Sequence, residues 1–157
     1  MHPLLEELHA YHHDISATID QLKKLLGQFK NGSCDAADRE RLFKLLESLH
    51  GQAESRHHQN EELIREQLLA TRAPVHHRVQ DIERDHQGFE RIAKQLRALE
   101  HSSLSPEEIA TYVEDYILKY YDHLDSEENI FFPLADEWLS DRQWQAVEQR
   151  WQKASPD

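Results

Sequence analysis

From Pro3 to Phe29, the positions Leu5, Leu8, His12, Ile15, Ile19, Leu22, Leu26 and Phe29 follow one another in steps of three and four. That is the period of one helix face, so the pattern predicts an amphipathic helix that stops at the breaker Asn31-Gly32-Ser33. A second frame, Leu42, Leu46, Leu49, Ala53, His57, Glu61, Ile64 and Leu68, predicts a helix over 36–69 with Asp35 as N-cap. Gly51 lies inside it and marks a kink or a close helix contact. The third frame, Val75, Val79, Ile82, His86, Phe89, Ala93, Leu96 and Leu99, predicts a helix from Pro74 to about His101. The fourth opens on Ser105-Pro106-Glu107-Glu108, a capping box with proline at the first helical position. Its inner face reads Ile109, Tyr112, Tyr116, Tyr120, His123, Glu127 and Ile130, and Pro133 ends it. A short last helix follows Ser140, whose capping box is completed by Gln143, and Trp144 and Val147 lean from it onto the rest.

Four amphipathic helices of about 27 residues with short connections leave neighbours little choice but to run antiparallel. The expected fold is all-α: an antiparallel up-down-up-down four-helix bundle with a short C-terminal fifth helix, forming a single domain over 1–157.

Each stripe is interrupted by polar residues: His12 on the first, His57 and Glu61 on the second, His86 on the third, His123 and Glu127 on the fourth. An ionised carboxylate is costly to bury unless it is paired or binds a metal. The levels agree. His12 lies 18 residues before residue 30 and His57 lies 21 after residue 36; His86 lies 16 before residue 102 and His123 lies 18 after residue 105. At about 1.5 Å per residue these fall within a few ångström of one another, so four helices can deliver side chains to one layer. Imidazole and carboxylate suit iron, manganese or zinc. A structural zinc site needs four ligands and favours Cys, which this set lacks. Six ligands without a thiolate fit a dinuclear centre, iron ahead of manganese or zinc.

Composition narrows the setting. Helix formers dominate, with only 4 Gly and 5 Pro, which argues against a sheet. The net charge of −12 argues against nucleic acid or an anionic membrane surface as partner. No apolar run approaches the roughly 20 residues of a membrane span, and the start MHPLLEELHA does not read as a signal peptide. The single cysteine, Cys34, excludes an internal disulfide, so a cytoplasmic protein is expected. The anomaly is 12 histidines. His13 and His58 adjoin the stripe but point off it, each a lesser candidate for ligand in place of its neighbour. His76 and His77 sit at the start of the third helix, and His2, His9, His50 and His101 read as surface residues. Glu62 and Glu128 read as solvated ion-pair partners, and Tyr116 and Tyr120 as core aromatics. Tyr120 is one turn from His123, within reach of a metal ligand.

The stretches LHAYHHDI (8–15), RHHQNEELI (56–64), ERDHQGF (83–89) and YYDHLDSEENIFFP (120–133) resemble the hemerythrin-like family, the HHE cation-binding domain, in its bacterial single-domain form. The resemblance runs through nearly the whole chain in helix order, and LSDRQW (139–144) resembles the short closing helix of bacterial members. It implies a four-helix bundle holding two iron ions in an oxo- or hydroxo-bridged, non-haem centre. Glu61 and Glu127 would bridge, and His12, His57, His86 and His123 would be terminal ligands. The oxygen carriers of the family place two histidines four apart on the third helix, whereas here the positions four from His86 are Ile82 and Glu90. They also place an Asp one residue beyond where Glu127 stands. The missing imidazole implies an open or water-filled iron position, or one taken by Glu90. The expected function is therefore binding or sensing of O2, NO or peroxide at that position. Iron storage or delivery, or peroxide handling in stress protection, is the alternative.

Overall fold

The computed structural model describes residues 1–154; residues 155–157, the end of the expected 1–157 domain, lie outside the described residues. All regular structure among the described residues is helical. In chain order the helices are α1 (Pro3–Lys30), α2 (Ala36–Ser48), α3 (Gln52–Leu69), α4 (His77–Gln80), α5 (Ile82–Leu99) and α6 (Pro106–Ser126). A π-helical turn (Glu127–Phe131), α7 (Phe132–Trp138) and α8 (Asp141–Arg150) follow. The helix α1 packs against α2, α3 and α6, and α5 packs against α2 and α6, closing a bundle onto which α8 docks through α3. No helix among the described residues is long and apolar enough to cross a membrane.

The first stripe becomes α1 with its apolar positions buried. Its end is a Schellman motif: Ser33 N–H donates to the Gln28 carbonyl and Gly32 N–H to that of Phe29. Gly32 takes φ +66° there, and a Cβ would stand 3.1 Å from Glu107 Oε1. Gly32→Ala is expected to destabilise the fold by about 1 kcal/mol in urea unfolding.

Three boundaries differ from the expectation. The 36–69 helix is broken: α2 ends at Ser48, and Gly51, whose Cβ would meet nothing within 4 Å, is the extended N-cap of α3. Gly51 thus marks neither a kink nor a close contact but an interruption between two helices. At the start of α3 Glu54 is buried and Ala53 exposed, while His57, Glu61, Ile64 and Leu68 keep the expected inward positions. The third helix does not begin at Pro74. His76 caps the short α4 through its ring, and Arg65 holds the next turn by donating to the carbonyls of Val79 (2.9 Å) and Gln80 (2.7 Å).

The fourth helix does not end at Pro133 either. Phe132 N–H reaches back five residues to the Glu127 carbonyl. This wider π turn accommodates a proline, which lacks an N–H and would crowd an α-helical ladder. Tyr112, expected inside, is 57% exposed. The caps at Asp35 and Ser140 form complete boxes. At Ser105 only the hydroxyl accepting from Glu108 N–H is present.

The apolar core falls into two clusters. One gathers Ile15, Ile19, Leu22, Leu26, Leu42, Leu46, Phe89, Ile109, Tyr116 and their neighbours. The other gathers Leu5, Leu8, Ile64, Leu68, Val79, Ile82, Phe131 and Trp144. Between them in each helix's sequence stand the polar positions: His12 in α1, Glu54 to Glu61 in α3, His86 in α5, and His123 to Glu127 at the end of α6.

Candidate metal centre

All six side chains expected in the layer are buried there: His12, His57, Glu61, His86, His123 and Glu127 are each at most 6% exposed. The layer contains two ligand groups. His12, His57, Glu61 and Glu127 offer donor atoms within 4.8 Å of one another, and so do His58, His86 and His123. The carboxylates join the groups. Glu61 Oε2 is 3.4 Å from His12 Nε2 and 3.3 Å from His57 Nε2, while its Oε1 is 3.4 Å from His86 Nε2. Glu127 Oε1 is 3.4 Å from His12 Nε2 and 2.9 Å from His123 Nε2, and its Oε2 is 3.7 Å from His86 Nε2.

These donors are under-used by the protein itself. Both oxygens of Glu61, Oε2 of Glu127, both ring nitrogens of His86 and Nε2 of His123 are buried without a hydrogen-bond partner. Leaving several polar atoms orphaned around one spot costs free energy at each of them. Cations shared by both groups would satisfy them together, so the residues fit a dinuclear metal site.

Outside the ring of donors, carboxylates hold two of the other imidazole nitrogens: Glu128 lies 2.6 Å from His12 Nδ1 and Asp85 3.2 Å from His123 Nδ1. Such partners fix the tautomer and aim of a ligating histidine. Glu62 stands 3.3 Å from His86 Nδ1 without a hydrogen bond to it. Glu128 and Glu62 do form the expected ion pairs, with His9 (2.9 Å) and Arg65 (3.2 Å), and both also stand beside imidazoles of the layer. His9 itself is exposed, as expected.

Two further residues complete the layer: Glu54, which the sequence pattern did not single out, and His58, the lesser ligand candidate. Glu54 accepts from Tyr11 Oη (2.7 Å) and Tyr120 Oη (2.5 Å) and lies 2.7 Å from His58 Nε2. His58, expected to point off the stripe, stacks on His86 with ring centroids 3.8 Å apart. The signal was present: counted from Gly51 rather than from Leu49, the inward frame is Glu54, His57, Glu61, Ile64, Leu68. Glu90, considered as a substitute for the missing imidazole, is exposed and belongs to neither group. Tyr120 bonds Glu54 rather than a residue of the six.

The electrostatics follow from this crowding. Burial opposes charge on His12, but the surrounding carboxylates of Glu127, Glu128 and Glu61, toward which its ring N–H groups point, outweigh it and raise its pKa to about 12. His123, buried but facing Glu127 and Asp85, rises to about 9, and His86 is raised well above its ordinary value by Glu127, Glu61 and Glu62. Burial would push the carboxyls up. Instead Glu127 is held well below its ordinary value, chiefly by His123, and Glu61 is drawn down by His57 and His12 despite facing Glu127. Glu54, buried, falls to about 2 because His58, Tyr120 and Tyr11 donate to it. Protons on the imidazoles thus balance the carboxylates when no metal does.

His50, expected at the surface, is half-buried with Nε2 unpartnered, and burial lowers its pKa to about 4. Below pH 6.5 the unfolded chain takes up a proton that the folded chain refuses until about pH 4. Stability therefore falls across that window, by roughly 3 kcal/mol in all. Urea unfolding at pH 7 and pH 4.5 is expected to show His50→Gln losing less stability between the two than the unsubstituted chain.

Fold and layer together define a helical bundle built to hold metal through histidine and carboxylate. The family model of the hemerythrin HHE cation-binding domain matches residues 4–135, and the chain belongs to that family. No curated protein and no solved structure matches the chain. The family implies cation binding, and the histidine–glutamate cluster could hold the metal.

Proposed function

We propose that this chain is a non-haem di-iron protein that binds or senses O2, NO or peroxide at an open metal position. The observation that carries the reading is that Glu61 and Glu127 each face both ligand groups. On this reading His12 and His57 hold one iron, and His86 and His123 hold the other. Both glutamates span the pair in a single-domain, up-down-up-down bundle. The order in which each helix meets the two apolar clusters supports that topology. A di-iron centre supplies electrons and a Lewis-acidic position for a small oxygen- or nitrogen-containing ligand.

The chain's own residues do the rest. Glu128 and Asp85 orient the imidazoles of His12 and His123, and the apolar clusters above and below exclude water. His58, which bonds Glu54 in this structure, would on turning toward the His86 group supply the imidazole that the third helix lacks. Three histidines would then serve the His86 side and two the His12 side, and we place the open position beside His12 and His57. The net charge of −12 supports our proposal of a cytoplasmic setting without nucleic-acid or anionic-membrane partners. The alternative of iron storage or delivery, or of peroxide handling, is favoured by the acidic groove that leads to His86.

The test is anaerobic loading with ferrous iron, followed by visible spectra after adding O2, NO or hydrogen peroxide in turn. Reversible spectral change with at least one ligand supports binding or sensing. Oxidation with release of iron and no ligand-bound spectrum supports delivery. In the same assay His58→Ala is expected to keep the His12-side signal and weaken iron retention on the other side about 10- to 100-fold.

A further inference from the structure

A groove of about 410 Å³ lies between α3 and α5, lined by Glu62, Glu66, Glu83 and Glu90 with Arg150 at its edge and His86 at its floor. Four carboxylates against one guanidinium give it a formal charge of −3, counting histidine as neutral. The acidity alone would be an ordinary solvated face. What sets it apart is the floor. His86 is only 6% exposed, and neither of its ring nitrogens has a hydrogen-bond partner. Glu62 Oε1, 3.3 Å from His86 Nδ1, is likewise buried and unpartnered. Beyond the ring, His86 Nε2 faces Glu61 Oε1 at 3.4 Å, inside the layer. Oxygen donors therefore continue from the surface to the centre without a gap in chemistry.

Glu62 is held in position by Arg65, 3.2 Å from its other oxygen, and Arg65 is fixed in turn by the carbonyls of Val79 and Gln80. The other flank of α5 has the opposite character. There a smaller groove of about 280 Å³ reaches His123 and is lined by Arg84, Arg91 and Lys119 against Asp85 and Asp122. A cation approaching that side meets net positive charge.

We propose that the acidic groove between α3 and α5 is the route by which divalent cations reach the histidine–glutamate layer, with Glu62 as the inner carboxylate that passes them to His86. The inference rests on the metal-centre reading above. A cleft of one sign focuses field lines and raises the local concentration of the opposite ion. Carboxylate oxygens replace part of the hydration shell of a hard divalent ion before imidazole takes over.

The test mixes metal-free, full-length chain with Co²⁺, or with Fe²⁺ under anaerobic conditions, in a stopped-flow instrument and records rate and final stoichiometry separately. The groove variant is Glu66→Gln/Glu83→Gln/Glu90→Gln, three exposed positions outside the layer. The control, Glu40→Gln/Glu107→Gln/Glu108→Gln, makes the same charge change on α2 and at the start of α6. At low salt the groove variant is expected to load about tenfold more slowly, and the control within about twofold of the unsubstituted chain. Added salt should slow the unsubstituted chain far more than the groove variant. Final occupancy should be the same in all three. Equal rates in groove variant and control would overturn the route, as would a slower rate found only together with lost occupancy. No uptake by the unsubstituted chain would overturn the metal centre and the route with it, a failure told apart by its stoichiometry of zero.

Discussion

Glu127→Ala is expected to lose both metals, not one. Glu127 stands within 3.7 Å of imidazoles in both ligand groups, so its removal takes a donor from each position at once. It also leaves His12 and His123 without the carboxylate that does most to raise their affinity for positive charge. Breaking a buried charge array by deleting one partner typically costs about 3–5 kcal/mol, so the metal-free variant should also unfold at lower urea than its parent. Metal analysis after loading and desalting checks the first effect, and urea unfolding of the metal-free forms checks the second. Glu90→Ala is the matched control: Glu90 is exposed and outside both groups, so full occupancy is expected. A Glu127→Ala protein that keeps one metal at full occupancy would show that this carboxylate serves a single position.

Metal removal is expected to lower Tm sharply, and more so at alkaline pH. A ligand that binds only the folded chain stabilises it by about 4 kcal/mol per site at 1,000 times Kd. Two sites then raise Tm by on the order of 15–30 °C in a chain of this size. In the metal-free protein, His123 titrates near pH 9 when folded and near 6.5 when unfolded. A raised histidine pKa contributes stability that is complete below pH 6.5 and is lost as pH climbs to about 9. Metal-free protein should therefore weaken between pH 7 and pH 9. The loaded protein should not, because metal has displaced those protons and binds better as they leave. Calorimetric scans of both forms at the two pH values decide it. A metal-free Tm that holds steady or rises over that interval would contradict the charge pattern assigned to the layer.

The parts of this picture that were legible in the sequence are those that depend on period. Steps of three and four place His12, His57, Glu61, His86, His123 and Glu127 on inward faces, and all six are buried in the layer. What escaped depends on a local interruption. The helix interruption at Leu49–Gly51 restarts the helix just before the site, so that Glu54 rather than Ala53 faces inward ahead of His57. Proline at 133 reads as a stop because an α-helix cannot accommodate it, but one π turn can, and the chain continues into α7. The carboxylates that hold the imidazoles were hidden for another reason. Glu128 and Asp85 sit beside the stripe rather than on it, so the period of the apolar positions does not mark them.

The measurement that bears most directly on the central claim is a metal titration of tag-free, metal-free chain, followed by iron analysis of the desalted product. Two irons per chain, falling to none in Glu61→Ala/Glu127→Ala, is the predicted result. One iron per chain, or two that survive loss of both glutamates, would contradict a centre bridged by these carboxylates.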